Sequence, residues 1–266
     1  MSGKVITITS GKGGVGKTTT AANLGVALAS MGNKVVCIDS DIGLRNLDVV
    51  LGLENRIVYD LVDAVEGRCR VSQAMIRDKR IETLYLIPAA QTRDKNAVSP
   101  SDMIKLCDTL REDVDWIIID SPAGIERGFR NAIAPADEVL VVTNPEVSAV
   151  RDADRIIGLV EAEERGPAKL VINRLKTAMV KRGDMLSAED VVELLAIPLI
   201  GIVPEDENVI ISTNQGQPIA LNEKCLAGRS FVNIARRVKG EEVPWLDLNE
   251  KEGLFNRLGK IISGGG

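Results

Sequence analysis

The sequence has no histidine among its 266 residues, so it lacks the side chain that most often acts as a base near neutral pH. Ser-His and Cys-His nucleophilic sites and histidine-ligated metal sites are therefore excluded. Any chemistry in this protein must use Asp, Glu, Lys, Arg, backbone amides or a bound ion.

Cysteines and long apolar runs are also scarce. The four cysteines form no Cys-x-x-Cys pair, so neither a disulfide framework nor a structural zinc site is predicted. No uninterrupted apolar run approaches the roughly 20 residues that span a bilayer, and the N-terminal MSGKVITITS has no signal-peptide layout. We therefore expect a cytoplasmic protein that is soluble or peripheral to a membrane.

The charge balance argues against a general affinity for nucleic acid. The net charge is -5 and the pI is near 5.1, so the surface as a whole does not attract polyanions. A local basic patch stays an alternative, and the chain carries a small cluster at Arg236, Arg237 and Lys239.

Short β-branched runs alternate with longer helical patterns along the chain. Most runs, such as WIIID (116–120) and VLVVT (139–143), are apolar on both faces, as expected for strands covered by helices on two sides. This alternation predicts an α/β fold with a doubly wound, mostly parallel sheet and helices on both faces. We expect three parts, which are a domain over 1–239, a flexible connector over 240–249 and a terminal helix over 250–263.

The stretch GKGGVGKT (11–18) matches the phosphate-loop pattern G-x-x-x-x-G-K-[ST], between an apolar strand and a helix. Its glycines let backbone N–H groups converge on phosphate, and the helix N-terminus adds a favourable dipole. Lys17 is expected on the β- and γ-phosphates and the Thr18 hydroxyl on Mg²⁺; the alternative is a plain glycine-rich turn. The predicted nucleotide contacts here are Gly11, Lys12, Gly13, Gly14, Val15, Gly16, Lys17, Thr18 and Thr19.

Carboxylates follow two of the predicted strands. VVCIDSD ends a strand with Asp39 and Asp41, and WIIID ends another with Asp120 in the position of a Walker-B aspartate. Ligands of parallel sheets bind at the carboxyl ends of the strands. We therefore predict that Thr18, Asp39, Asp41 and Asp120 serve a Mg²⁺ ion and an attacking water, with simple turn formation as the alternative reading of each aspartate.

The sequence favours adenine over guanine. KLVINRLK places Asn173 and Arg174 after a late strand, without the N-K-x-D stretch of a guanine-specific site. An Asn can hydrogen-bond the adenine edge and an Arg can stack on the ring. ATP is therefore the expected nucleotide, although Asn173 could also simply end its strand.

Several motifs together resemble the ParA/MinD family of deviant Walker A ATPases, and most closely its septum-positioning members. The resemblance covers nearly the whole chain and rests on SGKGGVGKTT, DSDIGLRNLD, DSPAGIE and TNPEVSAVRDADR. It implies an ATPase that hydrolyses ATP slowly without an activator, because positioning and charge neutralisation are all its site has.

The resemblance also assigns roles to single residues. Lys12 would reach across an ATP-dependent homodimer to the partner's nucleotide, Asp41 would position the attacking water, and Asp120 would hold Mg²⁺ through a water. Gly124 would let its loop respond to the γ-phosphate. The residues expected near a base or near the partner's nucleotide are Pro204, Glu205 and Asp206 for the adenine, and Glu146 for the partner.

The C-terminal EKEGLFNRLGKIISGGG has an amphipathic pattern. At about 100° per residue, its apolar side chains fall on one side of a helix, while Arg257 and Lys260 point away. An interfacial anchor to an anionic membrane is typical of this pattern, and the alternative is a terminal helix packed on the core. The predicted membrane contacts are Leu254, Phe255, Leu258, Ile261 and Ile262.

The resemblance implies partners and leaves rivals. It implies recruitment of the division inhibitor MinC to the membrane and stimulation by MinE or another activator. A partner surface is expected at Arg151, Asp152 and Asp154, unless these form an ordinary solvated helix face. The rival interpretations are a ParA-like DNA-partition ATPase, an iron-protein-like electron carrier that lacks the needed cysteines, and a membrane adaptor with a vestigial nucleotide site.

Overall fold

The computed structural model describes residues 2–94 and 97–248. In these residues, eight strands form one sheet in the spatial order β3-β4-β2-β5-β1-β6-β7-β8. All neighbouring pairs are parallel except β3 with β4. The strands are β1 Lys4–Thr9, β2 Val35–Asp39, β3 Ile76–Arg77, β4 Leu84–Ile87, β5 Trp116–Asp120, β6 Glu138–Thr143, β7 Ala168–Leu175 and β8 Leu199–Pro204.

Helices cover both faces of this sheet, which confirms the predicted doubly wound α/β fold. Short 3-10 turns lie at Glu54–Arg56 and Ile219–Leu221. The helices are α1 Lys17–Ser30, α2 Leu47–Leu51, α3 Leu61–Val65, α4 Val71–Ala74, α5 Pro100–Arg111, α6 Arg127–Ile133, α7 Val147–Ala162, α8 Thr177–Lys181, α9 Ala188–Leu195, α10 Glu207–Asn214 and α11 Leu226–Val238.

The two faces of β1 show how the core is divided. Ile6 and Ile8 pack with α1 and α11, whereas Val5 joins the cluster under α5 on the opposite face. A third cluster packs α7 and α9 against β6 and β7. Because successive side chains of a strand point to opposite faces, a strand between two helical layers is buried on both faces, as β1 is from Val5 to Thr9.

Some helix starts follow local sequence signals, whereas others have no side-chain cap. Ser99 and Ser187 accept from the N–H groups of Asp102 and Asp190 and form capping boxes for α5 and α9. Helix α1 instead follows Gly16, whose φ is 99°, and no side chain caps its first turn. Its free N–H groups at the carboxyl end of β1 are therefore available to an anion.

The chain after α11 is held to the sheet by Arg237. The Arg237 guanidinium donates to the carbonyls of Ile200 and Val243, at 3.2 and 2.9 Å, and lies 4.0 Å from the centre of the Trp245 ring. The part of the predicted 240–249 connector that the structure describes has no helix or strand, and these contacts tether it. The boundaries at 239 and 249 remain predictions.

Within the described residues, the helices are too short or too polar to cross a membrane. The residues predicted to contact a membrane, from Leu254 to Ile262, lie outside the described part of the chain.

Replacing Arg237 with Ala is expected to free residues 241–248, since it removes the hydrogen bonds and the ring contact together. Cleavage by chymotrypsin after Trp245 should become about tenfold faster. The control is Arg236→Ala, which removes only an exposed ion pair to Glu241 and so should change little. Equal cleavage rates in both variants would contradict the tether.

Candidate functional site

The loop between β1 and α1 is shaped as a phosphate cradle. Gly14 and Gly16 have φ values of 79° and 99°, which glycine adopts at no steric cost. The Gly16 carbonyl accepts from the Thr20 N–H and the Thr20 hydroxyl, both at 2.9 Å. The loop is thereby joined to the first turn of α1.

Two glycines of this loop lie tightly against other elements. A Cβ at Gly11 would lie 2.2 Å from the Asp152 carbonyl oxygen on α7, and one at Gly16 would lie 2.1 Å from the Asn173 amide nitrogen. Neither position has room for a side chain, because real Cβ contacts are never this short. The glycines are therefore required for packing as well as for backbone conformation.

Lys17 and Thr18 meet Asp120 at the floor of the cradle. The Lys17 ammonium lies 2.9 Å from Asp120 Oδ1, with both side chains buried. The Thr18 side chain also faces this carboxylate and lowers the pKa of Asp120. The structure thus brings together three residues that the sequence predicted to act on phosphate and metal.

Asp39 lies beside Asp120, since the two residues are register partners at the ends of β2 and β5. Burial, and then the charge of Asp120, raise the pKa of Asp39 from 3.8 to about 7, against the lowering effect of N–H groups from Leu47, Asp41 and Asn46. Burial also raises the pKa of Asp120, while Lys17 and Thr18 lower it. Two buried carboxylates therefore lie side by side, and the Lys17 ammonium pairs with Asp120, so this pair of carboxylates is short of positive charge.

A Mg²⁺ ion fits this charge deficit. Among the described residues, no group of three or more acidic, Cys or His side chains is arranged to hold a metal. Mg²⁺ usually takes only one or two carboxylates and completes its shell with water and substrate phosphates. The Thr18 hydroxyl and the carboxylates of Asp120 and Asp39 supply that kind of partial shell.

The loops after β2 and β5 are tied to the phosphate loop. The Ser40 N–H and hydroxyl donate to the Asp120 carbonyl, and the Gly124 N–H donates to the Ser10 carbonyl at 3.3 Å. Asp41 is half-buried, and its N–H donates to Asp39 Oδ1 at 3.0 Å. A groove of about 390 Å³ separates the loops near Asp41 and Pro122. Asp41 therefore lines this groove, and its role in positioning a water stays a prediction.

Lys12 and Glu146 are exposed at the outer side of the cradle. No ion pair joins Lys12 to any residue that the structure describes. Both side chains are accessible from outside the subunit, as a role toward a second subunit requires.

The residues predicted to border the adenine lie at the carboxyl ends of β7 and β8. Arg174 is exposed with a φ of 58°, and its guanidinium lies 4.0 Å from Glu205. Pro204 is buried, while the Asp206 side chain caps α10 by accepting from the Asn208 N–H. A cavity of about 800 Å³ opens beside Arg174 and Glu205. Asp206 thus has a structural role as the cap of α10, and its contact with adenine stays a prediction.

Asn173 has a contact that the sequence does not predict. Its buried amide donates to the Val15 carbonyl at 2.8 Å, so it braces the phosphate loop. Asn144 lies beside it, buried at the end of β6. Asn144 was not predicted as a site residue, although Asn144 and Asn173 each directly follow an apolar run of a predicted strand.

The predicted partner surface lies on α7. Arg151 and Asp154 are exposed, whereas Asp152 is half-buried and lies 3.8 Å from Arg155. Because the Asp152 backbone contacts Gly11, this helix touches the phosphate loop directly.

The fold and this site define a P-loop nucleotide-binding protein of the α/β class. Residues 6–219 match the CobQ/CobB/MinD/ParA nucleotide binding domain family. The chain belongs to this family, and within it to the MinD proteins.

Similar proteins cover nearly the whole chain. The septum site-determining protein MinD of Bacillus subtilis is 56% identical over 94% of this chain and 94% of its own length. The one of Synechocystis is 54% identical over 98% and 99%.

Two solved structures share the fold. MinD in a MinC:MinD complex from Aquifex aeolicus has a TM-score of 0.85 at 50% identity and covers 92% of this chain and 98% of its own. MinD of Pyrococcus horikoshii in complex with Mg-ADP has a TM-score of 0.80 at 29% identity and covers 88% and 95%.

The raised pKa of Asp39 gives a pH prediction. The folded protein binds this proton more tightly than the unfolded chain, so Asp39 favours folding at low pH, and this contribution is lost as the pH rises from 3.8 to about 7. The substitution Asp120→Asn removes the neighbouring negative charge that raises the pKa of Asp39, but it leaves Asp39 buried. The pKa of Asp39, measured by carbon NMR of its carboxyl, should fall but stay above 3.8.

The matched control is Asp137→Asn, which removes a carboxylate paired with Arg111 and absent from the causes that shift Asp39. An unchanged Asp39 titration in Asp120→Asn would show that the two carboxylates do not interact.

Proposed function

We propose that this protein is a dimerising ATPase that cycles between the cytoplasm and the inner face of the cell membrane. It helps to position the division septum by recruiting the division inhibitor MinC. The observation that carries this proposal is the phosphate cradle, in which Lys17 and Thr18 meet Asp120 while Lys12 stays exposed at the rim.

The relatives support the assignment to septum placement. The curated proteins at 54% and 56% identity are septum site-determining proteins, and one similar structure is a MinC:MinD complex. Another holds Mg-ADP, which supports a magnesium adenine nucleotide as the ligand here. We assign the contact with MinC or with an activator such as MinE to the exposed side chains of Arg151 and Asp154 and to the adjoining Asp152.

In the proposed site, the phosphate loop binds the nucleotide and Lys17 moves its positive charge from Asp120 towards the β- and γ-phosphates. Thr18, Asp120 and Asp39 would hold Mg²⁺, which when bound neutralises charge on the phosphate oxygens. Arg174, Pro204 and Glu205 would border the adenine. The position of each side chain relative to the cradle supports the role proposed for it.

Asp41 would orient the attacking water. Its backbone is fixed to Asp39, and its side chain lies beside the groove between the loops after β2 and β5. No histidine is present to act as a general base, so the site accelerates hydrolysis by positioning and charge neutralisation alone. Slow turnover that an activator can raise suits a timed membrane cycle.

Lys12 would complete the partner's site. Two triphosphates held face to face between subunits repel each other in a poorly hydrated interface. An additional ammonium from each subunit offsets this repulsion, so ATP would favour the dimer. Exposed Glu146, at the start of α7, would face the partner's nucleotide.

The ATPase rate per subunit is expected to rise with protein concentration and again with anionic liposomes, since active sites are completed by dimerisation. Lys12→Ala should abolish this rise. The control Lys79→Ala removes another exposed cation, beside β3, and should behave as the wild type. A wild-type rate that changes with neither protein concentration nor lipid would refute the dimer model.

The terminal segment 250–263 is proposed as the membrane anchor. Five apolar side chains, each half-buried at the headgroup boundary, contribute about 4–6 kcal/mol, and ordering the helix offsets much of this. One anchor is therefore weak, whereas two tethered anchors gain avidity. ATP-driven dimerisation would thus control membrane attachment.

Leu258→Glu should lower ATP-dependent co-sedimentation with anionic liposomes at least tenfold, because it places a charge on the apolar side. Asn256→Glu adds the same charge to the other side and should lower it much less. Equal effects would argue against an amphipathic anchor, and ATP-dependent binding to nonspecific DNA in place of liposomes would indicate a partition ATPase.

A further inference from the structure

The peptide between Val15 and Gly16 is held by two buried asparagines from neighbouring strands. Asn173 Nδ2 donates to the Val15 carbonyl at 2.8 Å. The Asn144 amide is oriented so that its nitrogen, not its oxygen, faces two backbone carbonyls. This nitrogen donates to the same Val15 carbonyl at 3.2 Å and to the Asn173 backbone carbonyl at 3.3 Å. One loop carbonyl thus receives two amide donors.

The sheet places these two asparagines side by side. Thr143 of β6 pairs in register with Ile172 of β7, and an Asn follows each of them. Asn144 and Asn173 are both buried, with 7% and 6% of their surface exposed. A buried amide costs free energy unless it is hydrogen-bonded, so their shared use of one carbonyl holds that carbonyl firmly.

Fixing the Val15 carbonyl also fixes the Gly16 N–H. A trans peptide is planar, and its C=O and N–H point in opposite directions. The Val15 oxygen points toward the ends of β6 and β7, so the Gly16 N–H points away from them, toward the inside of the loop. Among the described residues, no backbone or side-chain acceptor takes this N–H.

We propose that Asn144 and Asn173 are positioning residues that aim the Gly16 N–H at the nucleotide phosphates. Asn144 is a new member of the site, and Asn173 has this role in addition to any contact with the base. A Cβ at Gly16 would lie 2.1 Å from Asn173 Nδ2, so this amide packs directly against the Gly16 backbone. The inference rests on the proposed nucleotide function of the loop.

The two roles of an asparagine here predict different losses. A residue that orients a phosphate-binding N–H affects all nucleoside diphosphates alike, whereas a residue that reads the base affects only nucleotides with the matching edge. Inosine diphosphate lacks the 6-amino group of adenine and so separates the two. Because the phosphates are bound before and during hydrolysis, a positioning role should raise KM more than it lowers kcat.

The test measures the Kd of Mg-ADP and of Mg-inosine diphosphate by calorimetry for the wild type, Asn144→Ala and Asn144→Asp. We expect Asn144→Ala to weaken both ligands by the same factor, about five- to tenfold, as for one lost hydrogen bond. Asn144→Asp has the same shape but presents carboxylate oxygens to two carbonyls, so its loss should be larger. The kcat of Asn144→Ala at saturating ATP should change less than its KM.

The matched control is Asn131→Ala. Asn131 lies on α6, outside the phosphate cradle, and is also buried. Its amide donates to the Val98 carbonyl at 2.7 Å. It should lose thermal stability as Asn144→Ala does but keep the wild-type Kd for both nucleotides. Asn144→Ser, which retains a hydroxyl donor, should recover part of the affinity and provides a second folded variant.

Wild-type affinity in Asn144→Ala and Asn144→Asp would overturn the inference, as would a loss confined to ADP or an equal loss in Asn131→Ala. Failure of the wild type to bind ADP would overturn the proposed function itself, and the inference with it. A parallel loss for both nucleotides, absent from Asn131→Ala, would support the positioning role.

Discussion

The buried ion pair between Lys17 and Asp120 is the interaction on which the rest of the site depends. It joins the phosphate loop to β5 in the centre of the sheet, where a charge without a partner would be costly. Asp39, in register with Asp120, places a second buried carboxylate beside this ion pair. The excess negative charge, visible in the raised pKa of Asp39, prepares the site for a divalent cation, and the same lysine is available to a phosphate.

The other loops are arranged around this pair by short hydrogen bonds. Ser40 binds the Asp120 carbonyl, Gly124 binds the Ser10 carbonyl, and Gly11 packs against Asp152 of α7. Direct contacts therefore join the phosphate loop and its surroundings to the loops near Asp41 and Gly124, and to the helix that bears the proposed partner surface. The phosphate loop and the helix that bears the proposed partner surface are in direct contact, so no long path separates them.

Much of the fold could be predicted because its main strands are short apolar runs. The apolar runs at 116–120 and 139–143 are the parallel strands β5 and β6, and the helix predicted after the phosphate loop is α1. The two-residue strand β3 and short helices such as α2 and α8 were missed. Their few residues carry no clear periodicity, and contacts with the rest of the fold decide their conformation. Likewise, Lys17 and Asp120 were identified from motifs, whereas Asn144 lies in the motif TNPEVSAVRDADR, which by itself does not reveal its contact with the phosphate loop.

The sequence by itself determined what depends on neighbouring residues. It placed the glycines before α1, the apolar strands, the carboxylates that end them and the absence of histidine. The tertiary structure alone decided which strand ends meet, because the spatial order of strands differs from their order along the chain. Asp39 thus meets Asp120, and Asn173 reaches a carbonyl 158 residues away. Such contacts arise from long crossover connections, which local spacing does not encode.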